Sequence, residues 1–416
     1  MRHYCTYFDH NYLARGLVLL RSLQRWSTEP FCLWVLALSE EAERLLKLFG
    51  VVGYVGFEGE TESEVDSGTR AARAARSPQG PPYPHGPQGH HGPHLGKTHS
   101  GEVRFVTLRQ VESVFPELLV AKGNRSTVEY YFTLSPVWPL YLFSQEPGLN
   151  QVSYVDADMC FFGDPRQIFE RIGEASIAIT PHRFPEHLRA WEKCGRFNVG
   201  WLTFRRDEQG LSCLERWKSQ CLEWCYDRAE DGKYGDQAYL DEWPERYPGL
   251  CVLDDPGINA AIWNIGPCDV VQRKEGLTID GSPLLLYHFH GFKEISPCVY
   301  DTMTRHFGVP YSRRMNEWIY APYLAEWLQE AARIRTFQKK APSGYLRNAL
   351  TGSSRVRTLA RLVSRVANRV LGRVLDGRIA NGIRCGADWV SANIEAVSGQ
   401  HFITYQTRVV CIPWRA

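Results

Sequence analysis

Tyr154-Val155-Asp156-Ala157-Asp158-Met159 is the most chemically informative string in this 416-residue chain. Apolar residues flank the two acids, and Gln151 to Asp156 reads as a strand ending on the first of them. Open parallel sheets bind their ligands at the carboxyl ends of strands. Two carboxylates crowded there are costly unless a cation neutralises them. A hard divalent ion, Mn²⁺ or Mg²⁺, accepts such ligands and keeps positions open for diphosphate oxygens. The same spacing also occurs in ordinary loops, so the string needs company.

Four further segments supply it. Asp9-His10-Asn11-Tyr12 follows the first strand, and Tyr12 offers a flat apolar face with a polar tip. Phe197-Asn198-Val199-Gly200 opens a later strand, and Tyr234-Gly235-Asp236-Gln237 precedes a helix. His288-Phe289-His290-Gly291-Phe292-Lys293 closes an apolar strand. Taken singly, each has a structural explanation: a helix cap, a turn-forming Asn, an acid favoured by a helix dipole, a satisfied core histidine. Five such segments in one order, each at an element end, point instead to one site.

Together they resemble the GT-A nucleotide-diphosphosugar glycosyltransferases and are similar to the retaining glycosyltransferase family 8 group. The resemblance covers about residues 3–293, apart from one insertion. It implies that Asp156, Asp158 and His288 bind Mn²⁺ or Mg²⁺. It implies that Thr6, Asp9, Asn11 and Tyr12 hold the nucleotide, and that Lys293 meets the diphosphate. Asn198, Asp236 and Gln237 are then the catalytic residues that position the donor sugar, a UDP-sugar by preference, with retention of configuration. Lys293 stands one residue early for the family spacing, and His290 competes with His288 as a ligand. The arginine that the family carries on the helix before the metal-binding acids has no counterpart in Glu129 to Pro136, so Lys122 or Arg125 is the nearest substitute.

The elements that must position these residues alternate. A strand at 3–9 leads to Tyr12–Trp26, where Leu13, Leu17, Leu20 and Leu23 share a helical face. Phe31–Leu38 reads as a buried strand, Ser39 as the N-cap of a helix closed by Gly50, and Val51–Phe57 as a third strand. This order predicts an α/β fold, a mostly parallel sheet with helices on both faces. Later strands are expected at Ala175–Thr180, Phe197–Phe204 and Leu284–Phe289, and helices at 209–227 and 235–243. Residues 58–101 read as a disordered low-complexity insertion, since Pro, Gly and His dominate from Pro78 to Ser100. The catalytic domain is therefore placed at 1–310 and a helical C-terminal region at 311–416.

Within that region Arg357, Arg361, Arg365, Arg369 and Arg373 recur every four residues beside interleaved valines and leucines. A helix there is either packed on the catalytic domain or lies on an anionic membrane surface, with 355–380 as the contact. A formal charge of +2 gives no signal of a nucleic-acid partner. The chain opens on a strand and has no long uninterrupted apolar run, so the expectation is a cytoplasmic protein, with the membrane inner face as a peripheral location. The twelve cysteines show no CxxC pairing and read as reduced core thiols. The expected partners are a nucleoside-diphosphate sugar and a saccharide, lipid-linked or protein acceptor. Two rivals stand beside this reading: a haloacid-dehalogenase-like phosphatase, with Asp254-Asp255 as its late acidic pair, and a non-catalytic nucleotide-sugar binding protein.

Overall fold

The computed structural model describes residues 1–53, 101–296, 299–310 and 312–337, together with strand segments between 383 and 413. The low-complexity expectation for 58–101 and the basic stretch 355–380 lie outside the described residues, save for Gly101.

The first half alternates as its apolar pattern predicts. Strand β1 (Arg2–Phe8) is followed by α1 (Leu13–Trp26), β2 (Phe31–Ala37), α2 (Glu40–Leu48) and the short β3 (Val52–Gly53). The Ser39 side chain accepts from the Ala42 amide at 3.2 Å, which caps α2. From residue 102 come β4 (Glu102–Thr107), α3 (Leu108–Val114), α4 (Leu118–Asn124) and α5 (Thr127–Gln145). Then come β5 (Gln151–Val155), β6 (Met159–Phe161), α6 (Arg166–Ile172), β7 (Ile177–Pro181), β8 (Phe197–Arg205), α7 (Glu208–Glu223) and β9 (Leu250–Val252).

Eight strands form the central sheet in the order β3-β4-β2-β1-β5-β8-β7-β9. Only β8 runs against the others in this sheet. The mostly parallel α/β arrangement is thus as expected. Every residue of β2 is buried, because helices cover both faces. Cys32, Trp34 and Leu36 pack with Trp138 and Tyr141 of α5 and Trp217 of α7. The alternate residues Leu33 and Val35 pack with Leu17 of α1, Leu45 of α2 and Ile168 of α6. Each such fully buried side chain contributes about 1.5–3 kcal/mol.

Register decides what meets at the carboxyl edge. In the parallel β1–β5 pair, Cys5 lies opposite Tyr154, so Tyr7 comes level with Asp156. Because β8 is antiparallel to β5, it begins at that same edge, and Asp156 N donates to Gly200 O at 3.0 Å. A small outer sheet adds the last piece. Leu286–His288 pairs antiparallel with β6, placing His288 opposite Met159.

Residues 235–243 are tighter than the expected single helix: a 3₁₀ turn at Ala238–Glu242 precedes a short α-helix at Trp243–Arg246. Within 311–416, helix occupies Arg313–Met315, Asn316–Tyr320 (π-wound) and Ala321–Phe337. Five strands between Ile383 and Pro413 stand where a helical region was expected. Branched and aromatic residues such as Ile403, Tyr405, Val409 and Val410 in that stretch favour extended backbone. No described helix is long and apolar enough to cross a membrane. Nine cysteines with described side chains are free thiols, and seven of them are buried.

Candidate active site

Asp156 follows β5 directly, and Asp158 precedes β6 in the turn between them. Their carboxylates converge with the imidazole of His288: one donor atom from each of the three lies within 4.8 Å of the others. His288 Nε2 stands 3.2 Å from Asp158 Oδ1 and 3.6 Å from Asp156 Oδ2. The Tyr154 hydroxyl donates to Asp156 Oδ1 at 2.6 Å and fixes that carboxylate's orientation. Oxygen donors with one imidazole suit a hard-to-borderline divalent ion such as Mn²⁺ or Mg²⁺. His290, the competing ligand, is outside this group and packs edge-on against Trp263 at 5.4 Å.

The protonation pattern follows from burial and charge. Burial raises the Asp156 carboxyl, with the Asp158 charge adding and His288 opposing. Burial also disfavours ionised Asp158, but His288 beside it wins, with help from His290 and Arg15, and holds the group at about 2. His288 itself is pulled down by desolvation, which the two carboxylates outweigh, so it is raised. His290, desolvated and next to His288, drops to about 4 and stays neutral.

The cavity beside this cluster, about 230 Å³, is lined by Asp156, Asn198, Asp236, Gln237 and His288 among others. Asn198 is set by its neighbours: its Oδ1 accepts from Gly200 N at 2.9 Å and from Asn259 Nδ2 at 3.0 Å. Its Nδ2 faces His182 Nε2 at 3.3 Å. Burial and nearby His290 push His182 down to about 3, so the ring is neutral and that nitrogen accepts. Asp236 accepts from Ser135 Oγ at 2.6 Å, and that hydroxyl also meets Tyr7 at 3.0 Å. Desolvation lifts the Asp236 carboxyl to about 7, opposed by Ser135 and helped by the Asp156 charge. Gln237 Nε2 donates to Cys194 O at 2.8 Å.

Gly200 is required sterically. A Cβ there would sit 2.6 Å from Asn198 Oδ1 and 2.8 Å from His288 Nδ1. Gly200→Ala is expected to cost about 1–3 kcal/mol and to weaken Mn²⁺-induced stabilisation, since His288 or Asn198 must move. Thermal melting with and without Mn²⁺ checks both parts; an unchanged metal response would mean that the imidazole keeps its place.

The residues that the resemblance assigns to the nucleotide, Lys293 apart, lie on β1 and in the turn after it. Asp9 Oδ1 accepts from the amides of Asn11 and Tyr12 at 2.9 and 3.2 Å, and Asn11 Nδ2 donates to Asp9 Oδ2 at 3.0 Å. This turn leaves Tyr12 41% exposed. Thr6 is buried in β1, and its carbonyl accepts from Trp138 Nε1 at 3.0 Å. Thr6, Asp9, Asn11, Tyr12 and Lys293 do not line the cavity. Lys293 is exposed at the start of a strand, Lys293–Ser296.

Several residues went unnoticed in the sequence. Arg15 is buried, its guanidinium 4.3 Å over the Tyr12 ring and donating to Phe292 O at 2.6 Å. An arginine among Leu13, Leu17 and Val18 on the core face of α1 was a readable signal. His182 and Asn259 carried none, and Tyr154, though it opens the acidic string, is recognisable as the partner of Asp156 only from its contact. Lys122 and Arg125 do not fill the missing arginine's place. Lys122 pairs with Glu112 at 2.7 Å, and Arg125 bonds to Thr133 and to Leu222 O. The phosphatase alternative fails on position. Asp255 pairs with Arg171 at 3.0 Å, and neither Asp254 nor Asp255 lines the cavity.

No family model matches the chain. The uncharacterized protein YfnD of Bacillus subtilis (strain 168) is 34% identical over 230 residues, 52% of this chain and 73% of the relative. The uncharacterized protein YfnF of the same organism is 36% identical over 188 residues, 43% of this chain and 62% of YfnF, less than two thirds of its length. Solved structures with similarity include mouse xyloside xylosyltransferase 1, at 15% identity and TM-score 0.41, over 70% of this chain and 98% of that one. The galactosyltransferase LgtC with donor and acceptor sugar analogues gives 14% and 0.43, over 82% and 98%. The glycosyltransferase GlyE of Streptococcus pneumoniae TIGR4 gives 14% and 0.42, over 82% and 65%.

Proposed function

We propose that this chain, which belongs to the family of the Bacillus subtilis protein YfnD, is a metal-dependent glycosyltransferase that moves a sugar from a nucleoside-diphosphate sugar to an acceptor. The observation that carries the reading is the convergence of Asp156, Asp158 and His288 beside the cavity that Asn198, Asp236 and Gln237 also line. When bound there, Mn²⁺ or Mg²⁺ would supply a Lewis acid that offsets charge on the departing nucleoside diphosphate.

The chain's own residues divide the remaining work. Tyr12, held by the Asp9 turn, presents a ring for the nucleotide base, with Asn11 and Thr6 on the same strand tip. Arg15 bonds to the carbonyl of Phe292, next to Lys293, so two cations share one segment on the diphosphate side. Asn198, fixed by Gly200 and Asn259, orients sugar hydroxyls. Asp236 and Gln237 line the space for the anomeric centre, where positive character builds in the transition state. The preference for UDP and the retention of configuration rest on the family resemblance.

The test is a panel of nucleotide sugars incubated with the full chain and Mn²⁺, scoring donor hydrolysis without acceptor. At least one donor is expected to turn over, with activity abolished by EDTA and restored by Mn²⁺. Tight nucleotide binding without any turnover would instead favour a non-catalytic binding protein.

A further inference from the structure

The cavity changes character from floor to mouth. Its lining includes buried polar groups, Asp236 and His288 among them, and also Trp191 and His306, whose exposure places them where the cavity opens to solvent. Trp191 is 38% exposed, and no other tryptophan with a described side chain is classed as exposed. Its ring meets His306 at 5.5 Å and Phe307 at 6.3 Å. A large indole left in water at a pocket mouth is the kind of apolar surface that a ligand covers.

The platform is tied to the site. Trp191 belongs to a 3₁₀ helix, Glu186–Cys194, whose last carbonyl accepts from Gln237 Nε2 at 2.8 Å. At the other end His187 Nε2 lies 3.2 Å from Phe307 O. Gly195 follows with φ +114°, and a Cβ there would meet Ala238 Cα at 3.3 Å. The exposed ring and the residue beside the anomeric centre are thus held in one frame.

Building on the glycosyltransferase reading, we infer that the acceptor is a saccharide, one of whose pyranose rings stacks on Trp191. A pyranose has an apolar C–H face and a polar edge. The indole suits the face, and the neighbouring imidazole of His306 suits the edge. A lipid chain would need a broader exposed apolar surface than this indole, whose neighbours are the exposed imidazole of His306 and the buried ring of Phe307. In the transfer, an acceptor hydroxyl oxygen bonds to the donor's anomeric carbon. The bond from that carbon to the phosphate oxygen breaks, with its electron pair leaving on the nucleoside diphosphate, and the hydroxyl proton passes to that diphosphate.

The experiment titrates methyl pyranosides of gluco, galacto, manno and xylo configuration into the full chain with Mn²⁺ and UDP, followed by saturation-transfer NMR. At least one should bind saturably, about tenfold more weakly to Trp191→Ala, with Trp191→Phe recovering most of the affinity. Melting curves separate loss of fold from loss of contact. Binding of none of them, or equal binding to Trp191→Ala, would overturn the assignment. Donor hydrolysis, measured in parallel, tests the transferase reading separately. If it is absent while Trp191-dependent binding persists, the transferase reading falls and the saccharide platform stands.

Discussion

Asp158→Ala is expected to reduce Mn²⁺-dependent donor hydrolysis by about a thousandfold or more, because several kcal/mol of leaving-group stabilisation are lost with the ion. Asp158 is held ionised despite its burial, chiefly because His288 Nε2 lies 3.2 Å away. Removing it leaves one carboxylate and one imidazole. The same variant should lose the rise in melting temperature that Mn²⁺ gives the wild type, a readout independent of turnover. The fold should persist, since the Asp158 backbone carbonyl, not its side chain, receives the Phe289 amide at 2.9 Å. Wild-type hydrolysis in Asp158→Ala would remove the metal site from the proposal.

Asp236→Asn should be more stable than the wild type while losing about a hundredfold in donor turnover. Burial raises the Asp236 carboxyl to about 7, whereas an unfolded chain ionises it near 3.8. Between those values the unfolded state binds fewer protons than the folded one, so stability falls as pH rises. The penalty is absent below about pH 4 and fully present above about pH 7. An amide of the same shape carries no charge to desolvate, and its carbonyl oxygen can still accept from Ser135. In metal-free protein the variant should therefore gain about 1–4 kcal/mol at pH 8 and almost nothing at pH 4. Parallel denaturation curves at the two pH values decide it. A gain independent of pH would mean that the carboxyl is not the titrating group.

Much of this site was legible because its parts are local. A strand carries its hydrophobic run in sequence, and Asp156-Ala157-Asp158 sits at the end of one. The Asp9-Asn11-Tyr12 turn is made by the Asp9 carboxylate accepting from amides two and three residues on, so its residue types announce it. Gly200 could be noticed as part of a string, but its reason lay elsewhere: His288, far along the chain, occupies the space of a side chain there. Residues 235–243 were misjudged as one helix because the tight turn that points Asp236 and Gln237 inward depends on packing against Trp217, whose indole donates to Asp236 O at 2.7 Å.

The amino-acid sequence by itself determined the alternating strands and helices and the identity of the acids at the sheet's carboxyl edge, since each follows from local periodicity and short-range backbone geometry. Only the tertiary structure decided that His288 rather than His290 faces those acids, that Arg15 is the buried cation near Tyr12, and that Trp191 stands at the cavity mouth. His288 is placed by strand register in the antiparallel pairing of Leu286–His288, whereas the places of Arg15 and Trp191 depend on packing against Phe292 and Phe307. The pairing of Leu286–His288 with β6 joins residues more than a hundred positions apart, and no local pattern encodes it.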